Sequence, residues 1–194
     1  MSKDDQQEAF EKLLSSTLAR TVDFVKFAET KNAALLTFSS AWILGAINYL
    51  TGTKPLPDDW RIAFTVAVVL FAIAAVIAIV SFIPKTALGK FHKDPEQPKA
   101  LLYFGDVATF SPAAFRDRVR ERYYPGEGES ATRNYLDDLS IQIAVNSSIA
   151  SRKFTFFNRG ALLVLGALAV LAVPAIIRAL QEFAPLLLPQ EPPK

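Results

Sequence analysis

Apolar residues run without a charge from Ile62 to Ile83, and the hydroxyls of Thr65 and Ser81 are the only strongly polar groups among them. At about 1.5 Å per residue, a helix of this length reaches roughly 30 Å, the hydrocarbon thickness of a bilayer. The pattern predicts a transmembrane helix over 62–83. Burial in a soluble core is the rival reading, but it needs a thick shell of other elements, and 194 residues of this composition do not supply one.

Upstream the pattern is different. Phe10, Leu13, Leu14, Leu18, Val22, Val25 and Ala28 recur at three- and four-residue steps, with no Gly or Pro between Lys3 and Lys31. This predicts an amphipathic helix over 1–31 whose apolar stripe packs on a partner helix. No breaker separates it from a second uncharged stretch, Ala33 to Leu50, which is near the minimum length for a span. Trp42 and Tyr49 suit anchoring near its far end, and Ala41 and Gly45 form a small-xxx-small pair that admits close approach of another helix. Gly52, Pro55, Pro57 and two aspartates then make a tight turn before Trp60 opens the 62–83 span.

Beyond Pro84 lies a polar insert, 84–159. Its first part is Lys-rich and broken by Gly89, Pro95 and Pro98. An aromatic piece around Gly105 follows, which reads as a buried loop or short strand. Ser111-Pro112 is a helix start, with Ser as N-cap and Pro at the first position, and Pro125-Gly126 ends that helix. Ser130 is the expected cap of the next helix, which runs on through Leu136, Leu139, Ile143 and Phe154 into a third apolar stretch. The third span is placed at 160–178, kinked near Pro174, with Arg178 snorkelling to the interface and 179–194 as an extended tail.

Composition agrees with a chain divided between membrane and water. Half the residues are hydrophobic, mean hydropathy is +0.24 and 21% are charged. The net charge of +2 matters less than its placement. Lysine and arginine crowd the segment before the first span and the 84–159 insert, and are sparse in 51–61 and after 177. By the positive-inside rule the N-terminus and the insert are cytoplasmic. The opening MSKDDQQEAF carries no sign of a cleavable signal peptide.

Catalytic motifs are missing. The chain has no cysteine, no Walker loop, no nucleophile elbow and no HExxH, and its single histidine, His92, falls in the Lys- and Pro-rich loop. Neither an enzyme, nor a cofactor, nor a bound metal is expected. The most basic run is Arg116, Arg118, Arg120 and Arg122, interleaved with Asp117 and Glu121. Guanidinium groups match phosphate bidentately, but an acid-laced run of this kind is ordinarily a solvated face. Arg152-Lys153 sits near the expected membrane boundary, where a topological or headgroup role suffices.

Several of these segments, in this order, resemble the membrane domain of the Pycsar effectors. Ala28-Glu29-Thr30-Lys31 is similar to that family's A-D-T-K entry motif, with Glu29 in place of the usual Asp and Asn32 where Ala is common. Leu102-Tyr103-Phe104-Gly105-Asp106-Val107-Ala108 resembles its aromatic-Gly segment, followed by Ser111-Pro112 and Phe115. Asp138-Leu139, Gln142-Ile143 and Arg152-Lys153-Phe154 resemble its final helix entering the last span. The resemblance implies a bacterial antiphage effector of the inner membrane. It would be activated by a cyclic pyrimidine nucleotide from a partner cyclase and would then impair that membrane.

The resulting expectation is an all-α integral membrane protein with three transmembrane helices and a cytoplasmic helical bundle. Its partners are the lipid bilayer and a cyclic nucleotide, nucleic acid is not among them, and a homo-oligomer is allowed. Phosphate candidates are Lys31, Arg116, Arg120, Arg152 and Lys153, and Tyr103 and Phe104 are candidates to stack a base. The alternatives are a membrane-anchored scaffold or a small constitutive channel. The channel reading is weakened by spans without an acidic or basic residue before Arg178 at the end of the third.

Overall fold

A computed structural model describes residues 3–83 and 99–187. Among them the protein is all-helical: α1 (Lys3–Leu50), α2 (Asp58–Phe82), α3 (Phe104–Val107), α4 (Pro112–Tyr123) and α5 (Arg133–Leu187). Three of these, α1, α2 and α5, contain stretches long and apolar enough to cross a membrane. The loop holding His92 and the proline-rich end of the chain lie outside the described residues.

The helix boundaries follow local chemistry. Ser111 Oγ accepts a hydrogen bond from the Ala114 amide at 3.2 Å, and Pro112 takes the first position of α4. The cap of α5 is Thr132, not Ser130: Thr132 Oγ1 accepts from the Tyr135 amide at 3.2 Å and the helix begins at Arg133. The intervening turn contains Gly128 at φ +78°, a left-handed conformation that a side chain would strain. Gly105 lies in the short helix α3 rather than in a strand, and α5 passes Pro174 and continues to Leu187, so 179–187 is helical rather than extended. Its missing proline N–H costs less where neighbouring helices enclose the site, and Pro174 is buried.

The chain divides into two compact units, and α1 and α5 each contribute to both. The described residues of Met1–Glu29 and Pro84–Phe154 form the first, and those of Thr30–Ile83 and Thr155–Lys194 the second. In the first unit the buried face of α1 is centred on Thr21 and Ala28. Leu14, Leu18, Val22 and Val25 flank it half-buried, whereas Phe10 and Leu13, expected on the packed stripe, stay exposed. Thr21 tolerates its central place because its hydroxyl donates to the Thr17 carbonyl at 2.8 Å. Ala100, Leu101, Ala131, Leu139, Val145 and Ala150 complete this core.

The second unit is organised in the opposite sense from a soluble bundle. Along α2 the buried positions are Ala63, Ala67, Phe71, Ala74, Ala75, Ala78 and Ser81, nearly all small and repeating at three and four residues. Large side chains such as Ile62, Val69, Val76 and Ile79 lie on the exposed face. In lipid there is no hydrophobic gain from hiding a valine behind another helix, so small residues that let backbones approach take the interface. Asn32 and Ser39 on α1 and Ser81 on α2 are buried, which keeps these three polar side chains away from the lipid. Thr65, on the exposed side, donates its hydroxyl to the Arg61 carbonyl at 2.8 Å.

Where the three helices of this unit meet, Leu35, Ala67, Phe71, Ala74, Ala78, Val164 and Ala167 form the core. Phe71 is its one large, fully buried apolar side chain, stacked on Trp42 at 5.8 Å with an interplanar angle of 13°. Gly160 is needed there: a Cβ at that position would stand 2.5 Å from Leu35 Cδ2 and 3.6 Å from the Ala74 carbonyl oxygen. Gly160→Ala is expected to lower stability by about 1 kcal/mol as Leu35 turns aside, and Gly160→Leu by about 3 kcal/mol or more. Thermal unfolding of the detergent-solubilised variants checks the order, and equal melting temperatures would show that the helices do not meet at this point.

Candidate functional site

The polar chemistry of the first unit gathers at two places. One is the turn leading to α3. Asp106 Oδ2 accepts the Ala100 amide at 2.8 Å, and Lys99 Nζ reaches Thr109 Oγ1 at 2.7 Å while lying 4.6 Å over the Phe110 ring. This ties residues 99–110 into a closed loop over buried Ala100 and Leu101. Tyr103 and Phe104 meet edge to face at 4.9 Å. The Tyr103 ring occupies the space a side chain at position 105 would fill, which explains the glycine. Phe104 is 80% exposed and presents a bare aromatic face.

The other place is where α4 meets α5. Arg122 makes a bidentate pair with Asp138, Nε to Oδ2 and Nη2 to Oδ1, each at 3.1 Å. The two side chains are 9% and 5% exposed. The Tyr123 hydroxyl donates to Asp138 Oδ2 as well, and its ring packs edge-on against Tyr135 at 5.6 Å. Burial, reinforced by the hydrogen bond to and negative charge of Asp138, pushes the Tyr123 phenol well above its ordinary value. It therefore remains a proton donor across the physiological range. Asp138 thus accepts from both adjacent residues of α4, and a buried carboxylate is tolerated because its oxygens are met by fixed donors.

The predicted site residues fall into different states. Arg116 is exposed and pairs with its neighbour Asp117 at 2.7 Å, Arg118 pairs with Glu121 at 2.6 Å, and Arg120 is exposed on the same helix. The acid-laced run is therefore largely a solvated face, except for Arg122, which is internal. Lys153, 14% exposed at its side chain, is held by Glu29 at 3.0 Å, and the neighbouring Phe154 ring lies 6.2 Å from Phe27. Arg152 is half-buried beside it in sequence. Lys31 belongs to the second unit, its ammonium 4.9 Å over the Phe157 ring. The sequence motifs flagged Asp138 as a match but gave no partner for it. The signal available was a Tyr and an Arg adjacent at the end of a predicted helix, and spacing alone does not say which acid they meet.

Among the described residues no cluster of three or more potential ligand side chains is placed to hold a metal ion. The model of the Pycsar effector protein domain matches residues 13–179. The chain belongs to the Pycsar effector family. A relative from a Rhizobium species, the Pycsar effector protein RsPycTM, is 42% identical over 164 residues, covering 84% of this chain and 93% of its own. The Pycsar effector protein GmPycTM of Gulbenkiania mobilis is 27% identical over 135 residues, covering 63% and 65%. No solved structure matches the chain. Membership of the Pycsar effectors places this membrane protein in antiphage defence.

Removing one partner from a buried ion pair strands the other, at a cost of about 3–5 kcal/mol. Asp138→Ala is therefore expected to detach α4 from α5 and lower the melting temperature far more than Arg116→Ala. Tyr123 titrates with a sign that can be read. Its folded-state value is raised, so the stability it contributes is complete below the ordinary tyrosine value of about 10 and is lost as pH rises beyond it. Tyr123→Phe should remove that part of the alkaline decline, and unfolding curves of both proteins between about pH 8 and about 11 check it. An identical decline in the two would place the Tyr123 hydroxyl outside this network.

Proposed function

We propose that the protein is a non-enzymatic, multi-pass effector of the bacterial inner membrane with its N-terminus in the cytoplasm. A cyclic pyrimidine nucleotide supplied by a partner cyclase binds its first unit and triggers impairment of the membrane. The observation that carries this reading is membership of the Pycsar effectors over residues 13–179. It is supported by the way α1 and α5 pass from the first unit into the second, which gives a ligand on one a covalent, helical route to the spans of the other.

Within the first unit the surface chemistry favours some candidates over others. Phe104 offers an exposed ring for base stacking, beside Tyr103, and Arg116 and Arg120 offer exposed guanidinium groups for phosphate. Lys153 would first have to leave Glu29, so its role is to report binding by exchanging partners rather than to make first contact. Arg152 is assigned a supporting charge at the adjacent position of α5, and Lys31 a place at the entry of the first span.

Dye release from liposomes containing the purified protein tests the reading, with each cyclic purine and pyrimidine mononucleotide added in turn. Release with one pyrimidine nucleotide alone is expected. Phe104→Ala and Arg120→Ala should weaken the response about tenfold each, the scale of one stacking or charge-assisted contact. Release without ligand would instead indicate a constitutive channel. Absence of both release and binding with every nucleotide would leave a scaffold.

A further inference from the structure

At the hairpin end of the second unit, α1, α2 and α5 part to leave a cavity of about 760 Å³. Its walls are Trp42, Gly45, Tyr49, Trp60 and Phe64, with Arg178 as the one charged group among the lining residues. This volume falls within the range of roughly 300–1,000 Å³ typical of sites for small organic ligands. Ala41 and Gly45, the small-xxx-small pair, line this space, and a Cβ on Gly45 would meet nothing within 4 Å.

We infer that the cavity binds a membrane phospholipid, one acyl chain lying among the aromatic rings and the phosphate resting on Arg178. The surroundings select this occupant. Leu44, Ile47, Tyr49, Ile177 and Leu180 are exposed nearby along the same helices, so what reaches the opening is hydrocarbon rather than water. Asp58, Asp59 and Arg61 follow the hairpin and mark the level of the headgroups. Tyr49 and Phe64 stack at 5.5 Å, and Trp60 tilts onto Phe64 at 5.8 Å, which gives a smooth apolar wall.

Arg178 supplies the matching charge. It lies 5.9 Å over Trp60 and is bound to Asp59 through Nη2 alone, at 3.3 Å to each oxygen. The guanidinium is 46% exposed, and its Nη1 can donate to a phosphate oxygen while Nη2 keeps the Asp59 contact. Basic groups beside apolar pockets between spans are a recurrent means of holding lipid headgroups.

The chain has two tryptophans, and both line the cavity, so their fluorescence reads its occupancy. The protein in an uncharged detergent is titrated with phosphatidylglycerol carrying brominated acyl chains, which quench indole at contact. Saturable quenching at one lipid per chain is expected, reversed by the same lipid without bromine. Arg178→Gln should raise the half-saturation concentration about tenfold, the worth of one charge-assisted contact. Gly45→Leu should abolish the saturable part by filling the space. Arg178→Gln, at the rim, keeps the test decisive if the filled variant does not fold. Linear, unsaturable quenching equal in all proteins would overturn the inference. So would tryptophan emission that changes with protein concentration but not with lipid, since a second copy would then occupy the cavity. No nucleotide enters this experiment, so its outcome is separate from that of the proposed activation.

Discussion

Backbone amides and carbonyls inside a bilayer have no water to bond to, and this constraint shapes the second unit. Each span is an uninterrupted helix because only a helix satisfies every one of these groups within its own segment. Once the helices exist, hydrophobicity no longer chooses which faces meet, since lipid and protein are equally apolar. The choice falls to shape. The alanines of α2, with Gly160 against Leu35, bring the three helices close enough for dispersion contacts, while the branched side chains are left to the lipid.

The first unit is packed differently. Its apolar residues are partly left exposed, as with Phe10, Leu13, Phe24 and Phe27, and its most specific contact is polar. Arg122 and Tyr123 close on Asp138 from one side of a helix end, and α4 is fixed to α5 by a geometry that no shift of one residue would preserve. Such a contact contributes registry rather than bulk stability, because the desolvation of both charges offsets much of their attraction. The shared helices α1 and α5 therefore take part in two kinds of packing, ion-paired and polar in the first unit, close and apolar in the second.

Most cations identified as phosphate candidates are already engaged by a neighbour: Arg116 by Asp117, Lys153 by Glu29 and Lys31 by the Phe157 ring. The exposed Arg116–Asp117 pair is individually weak, whereas Lys153, 14% exposed, is held more closely. Arg178 follows the same logic in the second unit. Its side chain, expected to snorkel to the interface, is held by Asp59 and Trp60 at the rim of a cavity.

Much of the fold was legible in the sequence because length and charge dictate it. An uncharged run from Ile62 to Ile83 has one stable form in lipid, the absence of proline from Lys3 to Leu50 makes one helix of two compositional segments, and Ser111-Pro112 states a helix start in its own chemistry. Short-range signals failed where two residue types compete for one role. Thr132 took the cap expected of Ser130, and the aromatic piece at Gly105 became a helical turn because Asp106 folded back on the Ala100 amide. The partner of Arg122, the use of Gly45 as a cavity wall and the need for Gly160 were decided only by tertiary structure. Each depends on which atoms of a distant helix stand opposite, and periodicity within one helix fixes a face without fixing what meets it.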